Sequence, residues 1–140
     1  MKYVLFCLAL SVSSFLSAQS HAVNEKAYKV VFQLTNGDTL VHKAMVRQIG
    51  HILEEAPNTK IEVVCHSAGL PFLVTAQTNQ AAKIQDLRAK GVTFMACENT
   101  MRDRKVAPTD LVPECGTVPS GMVEIIDKQQ NGWAYIKVGF

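Results

Sequence analysis

The chain has 140 residues, of which 48% are hydrophobic and 19% are charged. This composition is that of an ordinary globular protein, and the length predicts one domain with a core of its own. The 14 basic and 12 acidic residues leave a net charge of +2, which is too small to favour a nucleic acid or an anionic membrane as the partner.

The first 22 residues have the pattern of a cleaved signal peptide. Lys2 supplies a positive charge, and an apolar run from Tyr3 to about Leu16 precedes small residues suited to cleavage. The run is shorter than the ~18–20 residues of a spanning helix, so an uncleaved anchor is the less favoured alternative. The sequence therefore predicts a mature domain of residues 23–140 that is periplasmic or secreted, with no membrane attachment after cleavage.

The first half of the mature chain predicts two strands that flank one long helix. A β-branched and aromatic run over residues 28–34 predicts a strand, and a turn signal follows it. Asp38 is the expected N-cap of a helix that continues to about residue 55, with apolar side chains at helical spacing. Residues 60–65 predict a second strand, and residues 66–71, rich in turn-forming residues, predict a loop.

The second half of the chain continues the alternation of strands and helices. In chain order we expect a helix (78–90), a strand (92–97), a polar loop, a short helical turn (108–113), a short strand (117–118), a helix that Ser120 caps, and a last strand (133–138). Strands that are apolar nearly throughout are typical of a parallel sheet covered on both faces. The sequence therefore predicts an α/β fold, a single three-layer α/β/α domain with a mostly parallel five-stranded sheet of Rossmann- or flavodoxin-like architecture, and the last strand at an edge.

Polar segments follow three of the predicted strands. In open sheets of this kind the functional groups usually lie beyond the carboxyl ends of the strands. The segments that meet at this edge are residues 35–38, 65–67 and 97–100. Cys65 and Cys97 are therefore expected at the functional edge, whereas Cys115 precedes its strand and is expected near the opposite edge.

Cys97 is the strongest candidate for chemistry. A thiol acts as a nucleophile or sulfur carrier only as the thiolate, which needs partial exposure and nearby positive charge or helix N-terminal donors. Arg102, Arg104 and Lys105 follow Cys97 and supply such charge if the segment folds back. Composition and position alone favour a buried structural cysteine, since free cysteine is among the most buried residue types.

The neighbours of Cys65 allow several interpretations. Adjacent strand residues point to opposite faces, so Cys65 and His66 do not by themselves form a dyad. A Cys65–Cys97 disulfide requires neighbouring strands with Cα atoms within ~7 Å. An exported chain would retain three cysteines, so at least one thiol must be buried, used, or paired with another molecule.

Two further patterns concern anions and metals. Asn36 opens a turn before a helix, whose free N–H groups form a generic anion site, although a plain turn with an N-cap explains the pattern as well. His42 and His51 are nine residues apart in one predicted helix, which places them on opposite faces. No CxxC or HExxH is present, so the sequence predicts no metal site.

The order of elements, together with the segment around Cys97, resembles the DsrE/DsrF-like family. The resemblance covers residues 28–140, and it rests on KVVFQL, on IEVVC with its loop HSAGLP, on Cys97 with an arginine-bearing segment, and on VPSGMVEII followed by GWAYI. It implies a small α/β/α fold that assembles into homo-oligomers, as trimers or hexamers. Cys97 matches the cysteine that accepts sulfane sulfur as a persulfide in the sulfur-relay members and passes it to a partner protein.

The resemblance implies an exported DsrE-like protein that carries sulfane sulfur on Cys97, in sulfur relay or thiol redox chemistry. Such a protein is at most a sulfurtransferase-like carrier, and it needs no cofactor because persulfide chemistry requires only a thiolate and a sulfur donor. Cys65 is a candidate resolving thiol. The candidate binding residues are Arg102, Arg104, Asn36 and His66. The alternative is a non-catalytic oligomeric binding or assembly module in which Cys97 is buried or disulfide-linked.

Overall fold

The computed structural model describes residues 24–139. The predicted signal peptide therefore lies outside the described residues. Within residues 24–139, no helix is both long enough and apolar enough to cross a membrane.

A five-stranded sheet forms the centre of the described domain. The strands are β1 (Lys29–Leu34), β2 (Lys60–Cys65), β3 (Thr93–Cys97), β4 (Gly116–Val118) and β5 (Ala134–Val138). The α-helices are α1 (Thr39–Glu55), α2 (Ala81–Ala89), α3 (Glu98–Arg104) and α4 (Gly121–Gln130), and two 3-10 helices cover Ser67–Leu73 and Pro108–Asp110. The strand order is β4-β3-β2-β1-β5 with every neighbouring pair parallel, which confirms the predicted α/β fold and the edge position of the last strand.

The two faces of the sheet bury cores of very different size. Within residues 24–139, the face covered by α1 and α2 has a hydrophobic cluster of 22 buried residues, among them Phe32, Phe72 and Phe94. The hydrophobic cluster on the opposite face, on which α4 packs, has four buried residues in the same part of the chain: Val31, Val64, Val118 and Ile125. Each fully buried large apolar side chain contributes roughly 1.5–3 kcal/mol, so the larger core supplies most of the apolar stabilisation.

Side-chain hydrogen bonds cap the starts of α1 and α4. Asp38 caps α1, as predicted, because its carboxylate accepts the N–H of Leu40 at 2.8 Å. Ser120 caps α4, also as predicted, through its hydroxyl oxygen and the N–H of Val123 at 3.4 Å. Each cap satisfies one of the N–H groups that the first helical turn leaves without an internal partner.

Three segments differ from the prediction. The expected loop at 66–71 is a 3-10 helix, and the polar segment after Cys97 is the helix α3 rather than a loop. Only Met101 of α3 is buried, so the segment has no apolar periodicity that would predict a helix. Helix α2 begins at Ala81 rather than at residue 78, with Gln80 before its first turn.

Candidate functional site

Cys97 lies where β3 ends and α3 begins. It is the last residue of the strand and the N-cap of the helix. Its Sγ also accepts the N–H of Gly121, the first residue of α4, at 3.2 Å. One sulfur atom therefore faces the starts of two helices, where backbone N–H groups are unpaired and the local potential is positive.

The close approach of α4 to Cys97 depends on a glycine. A Cβ atom at Gly121 would lie 3.1 Å from Cγ1 of Val64, 3.3 Å from Cβ of Cys97 and 3.3 Å from Cδ2 of His66. These distances are shorter than ordinary carbon contacts, so a larger residue would push the helix start away from the sulfur. They also show that Cys97 and His66 border the same small space.

Hydrogen-bond donors shift the acidity of Cys97. Burial alone would raise the pKa of the thiol. Hydrogen bonds from Gly121, Thr100 and Asn99 outweigh the effect of burial, so the pKa of Cys97 falls below the ordinary 9.0. The Gly121 N–H makes a regular hydrogen bond, and the groups of Thr100 and Asn99 in the first turn of α3 add weaker stabilisation. Donors, not cationic side chains, therefore stabilise the thiolate.

The other two cysteines of the described chain have the opposite character. Burial raises the pKa of Cys65 well above its ordinary value. Burial raises the pKa of Cys115 to about 11, although Arg88 opposes the shift. All three thiols are free. Cys97 is thus the one cysteine within residues 24–139 with a lowered pKa.

Cys65 and Cys97 lie on neighbouring strands but on opposite faces of the sheet. Cys65 pairs with Ala96 across β2 and β3, so Cys97, one residue later, points to the other side. Cys65 is a fully buried member of the larger core. The structure therefore does not bring the candidate resolving thiol to the sulfur of Cys97.

His66 is held by a chain of polar side chains that crosses the sheet. The hydroxyl of Tyr135 donates to Oε1 of Gln33, and Nε2 of Gln33 donates to Nε2 of His66 at 2.8 Å. The Nδ1 of His66 lies 3.0 Å from Oγ of Ser67. Because Nε2 accepts a hydrogen bond, the proton of the neutral ring is assigned to Nδ1, which donates to Ser67. Burial also lowers the pKa of His66, so the ring is neutral beside Cys97.

Ser67 links this chain to the cysteine. Its φ is 53°, in the left-handed region, and its N–H donates to Oγ1 of Thr100 at 3.1 Å. Since that oxygen accepts a bond from the backbone, its own proton remains available for the sulfur of Cys97. A non-glycine residue in this region is strained and persists where its surroundings fix it. Ser67 therefore orients the hydroxyl of Thr100.

The candidate binding residues other than His66 lie in separate places. Arg102 donates to the side chain of Asn99 on its own helix. Arg104 lines a cavity of about 250 Å³ with Leu70 and Pro71. Neither arginine is among the groups that shift the pKa of Cys97.

Asn36 is used within its own turn. Its Oδ1 accepts the N–H of Asp38 at 2.7 Å, and its backbone carbonyl accepts from Nε2 of the buried His42 at 2.7 Å. These bonds favour the plain turn-and-cap interpretation. Within the described residues, no group of three or more His, Cys, Asp or Glu side chains could hold a metal ion.

Sequence reasoning missed three contributors to this site, Gln33, Gly121 and Tyr135, and it placed Thr100 at this edge without assigning it a role. Gln33 could have been found, since it is the one polar side chain among the residues that follow Lys29 in β1. Gly121 and Tyr135 acquire their roles through contacts between distant segments, which no local pattern encodes, whereas Thr100 lies three residues after Cys97 in the first turn of α3.

Comparison with known proteins agrees with this description. The DsrE/DsrF-like family model matches residues 28–138. A protein of unknown function from Methanobacterium thermoautotrophicum, MTH1491, has a similar structure with a TM-score of 0.75 and 30% identity, over 79% of this chain and 98% of that one. The ychN protein from E. coli shares the fold with a TM-score of 0.65 at 14% identity, over the same shares of each chain. No protein of curated function matches the sequence.

Proposed function

Because the chain belongs to the DsrE/DsrF-like family, which is associated with sulfur relay, we propose that it carries sulfane sulfur as a persulfide on Cys97. The observation that carries the proposal is the hydrogen bond from the start of α4 to Sγ of Cys97, with the lowered pKa that accompanies it. A thiolate is the form of cysteine that attacks a sulfur donor.

The proposed transfer is an exchange at sulfur. The Cys97 thiolate attacks the outer sulfur of a donor persulfide, R–S–SH; a new S–S bond forms at Cys97, and the S–S bond of the donor breaks. The donor leaves as R–S⁻, which takes a proton from solvent, and Cys97 is left as –S–SH. An acceptor thiolate then repeats the exchange and releases Cys97 as its thiolate, so the cycle needs no net oxidant or reductant.

The surroundings of Cys97 suit both halves of this cycle. A lowered pKa raises the fraction of thiolate available for loading, and it also makes Cys97 a better leaving group when the sulfur is passed on. His66 is neutral, and its Nε2 already accepts from Gln33, so it supplies no positive charge in this state. In the proposed site, neutral donors therefore stabilise the anions of sulfur.

One observation favours the alternative, a non-catalytic binding or assembly module. Cys97 is only 5% exposed, so a bulky donor has little access to its sulfur without movement of the surrounding segments. Rapid labelling of Cys97 in the native protein supports the carrier. Labelling that begins only after denaturation supports the module.

The proposed carrier is an exported homo-oligomer, a trimer or a hexamer. The N-terminal pattern of residues 1–22 supports export. The oligomer is supported by three exposed apolar side chains on α4, Met122 at 51%, Val123 at 63% and Ile126 at 49%, since contiguous exposed apolar surface often marks a protein interface. Light scattering of the mature protein should give a mass of three or six chains, and a monomer would contradict the assembly. N-terminal sequencing of the secreted form should begin near Val23, and a retained Met1 would contradict export.

The decisive experiment is peptide mass mapping of the mature protein before and after incubation with inorganic polysulfide. The expected result is a gain of one or more sulfur atoms on the peptide with Cys97, removed by a thiol reductant. Cys97→Ser should abolish the gain, and Cys115→Ser should leave it intact. An unmodified Cys97, or equal gain on all cysteines, would refute the proposed carrier.

A further inference from the structure

A part-buried ion pair joins α4 to the sheet. Glu62, on the central strand β2, is 5% exposed, and its Oε2 lies 2.7 Å from Nζ of Lys128 on α4. The same ammonium group lies 3.4 Å from Glu124 and 4.4 Å from the centre of the Trp133 ring. Lys128 thus joins the helix to the sheet through a charge pair and a cation–π contact.

Stability alone is a poor explanation for this pair. Desolvation of two charges offsets most of their attraction, and apolar residues of similar size usually stabilise such a position as well. The other carboxylate oxygen of Glu62, Oε1, is buried and has no hydrogen-bond partner in the described residues. Burial, with a contribution from Glu124, raises the pKa of Glu62 despite the bond from Lys128. Burial opposes the charge of Lys128 as well, but the bond to Glu62 outweighs it and raises the pKa of Lys128, so the pair favours the ammonium group more than the carboxylate.

The apolar anchoring of α4 is weak. Gly121 and Ile125 are its only buried residues among those described, and the core beneath it is the smaller of the two. Gly121, Ile125 and Lys128 recur at intervals of four and three residues, so they share the face that packs on the sheet. Seven residues separate the glycine from the lysine, a distance of ~10 Å along the helix axis. A displacement at Lys128 is therefore transmitted directly to the helix start.

We infer that Glu62 and Lys128 are positioning residues that hold α4 in the register at which the Gly121 N–H meets Sγ of Cys97. The contacts of Lys128 are with Glu62, Glu124 and Trp133, so the pair acts on Cys97 only through α4. The positioning role of the pair rests on the proposed function in one respect: the reactivity of Cys97 serves that function. The hydrogen bond of 3.2 Å at one end of α4 and the ion pair of 2.7 Å at the other are two contacts of one rigid helix with the sheet.

The test compares the reactivity of Cys97 in the wild type and in charge-free variants. Lys128→Met retains the apolar stem but leaves Glu62 unpaired and risks misfolding, so the main variant is the double substitution Glu62→Met with Lys128→Met. The control is Lys83→Met, which removes an exposed pair with Asp86 on α2. For each protein, iodoacetamide alkylation of Cys97 is followed by peptide mapping over a range of pH, together with the urea midpoint of unfolding.

The two parts of the alkylation profile separate access from acidity. The plateau at high pH reports access to the sulfur, and the ratio of the rate at neutral pH to that plateau reports the thiolate fraction. In the double variant we expect an unchanged or higher urea midpoint, with this ratio reduced about fivefold, as for partial loss of a hydrogen bond to a charged acceptor. The control should match the wild type in both measurements.

A profile of the folded double variant that superimposes on that of the wild type would overturn the inference. Alkylation requires no sulfur donor, so the outcome is independent of sulfur loading. A wild type that fails to gain sulfur, but loses reactivity when the pair is removed, would refute the carrier and retain the positioning role. Sulfur gain in the wild type, with the same alkylation profile in the double variant, would support the carrier and refute the positioning role.

Discussion

Replacing Gly121 with alanine is the most direct test of whether the start of α4 activates Cys97. The new Cβ would lie 3.1–3.3 Å from carbon atoms of Val64, Cys97 and His66. To restore ordinary contacts, the start of α4 must move away by a few tenths of an ångström. The hydrogen bond from residue 121 to Sγ of Cys97, now 3.2 Å long, must then lengthen.

The size of the effect follows from the strength of that bond. A hydrogen bond to a charged acceptor contributes ~1.5–3 kcal/mol, and losing about half of it removes ~1 kcal/mol of thiolate stabilisation. At 1.36 kcal/mol for each tenfold change, the thiolate fraction at neutral pH falls about fivefold. Alanine also has a higher helix propensity than glycine, which by itself would favour α4. The expected fall in the thiolate fraction therefore comes from the steric overlap of the new Cβ.

The assay is the pH dependence of Cys97 alkylation, measured by peptide mapping on the native protein. Gly50→Ala in α1 is the matched control, because a Cβ there meets no atom within 4 Å. That control should stabilise the protein by ~0.5–1 kcal/mol against urea and leave the alkylation profile unchanged. If Gly121→Ala and Gly50→Ala give the same profile as the wild type, the start of α4 does not activate the thiol.

Three further substitutions test neighbouring contacts. Thr100→Val removes a hydroxyl that stabilises the Cys97 thiolate, so alkylation of Cys97 at neutral pH should slow about twofold. Thr100→Ser keeps the hydroxyl and should keep the wild-type rate; equal rates for the two variants would contradict the contact. Burial lowers the pKa of His66 below 6.5, so its contribution to stability is present above pH 6.5 and is lost as the pH falls through the folded-state pKa. The urea midpoint of the wild type should therefore fall on acidification, and that of His66→Gln should fall less. The same pH dependence in both proteins would contradict a stability contribution from neutral His66. Gly69→Ala places a Cβ 2.1 Å from the carbonyl oxygen of Leu34, so thermal unfolding should show a loss of roughly 2–3 kcal/mol, and an unchanged melting temperature would contradict the packing.

The predictable parts of the fold are those that local patterns encode. The run KIEVVC is β-branched and apolar, and its predicted bounds agree with β2. Asp38 and Ser120 are short polar residues before apolar periodic segments, and both cap helices as predicted. The polar sequence ENTMRDR gives no such signal, because its helix α3 buries one residue and owes its position to the end of β3.

The site was predictable in position but not in mechanism. Parallel strands bring their carboxyl ends to one edge, and this alone places His66 near Cys97. The prediction assigned the activation of the thiol to the basic residues after it, whereas the lowered pKa comes from donors of Gly121, Thr100 and Asn99. The N–H of Gly121 belongs to a helix that starts 24 residues later, so its direction depends on how α4 packs on the sheet.

The pairing of β5 with β1 has a consequence for the order in which the protein matures. The bond between Tyr135 and Gln33 spans 102 residues, and α4 and β5 follow the other helices and strands of the described chain. Contacts of such long range form late, because closing a long loop of chain must precede them. Without α4, Cys97 would lose the N–H of Gly121 and keep only the weaker donors of Thr100 and Asn99, so its thiol would be less acidic than in the folded domain. In the proposed carrier, the full acidity of Cys97 would then be reached only after α4 has docked on the sheet.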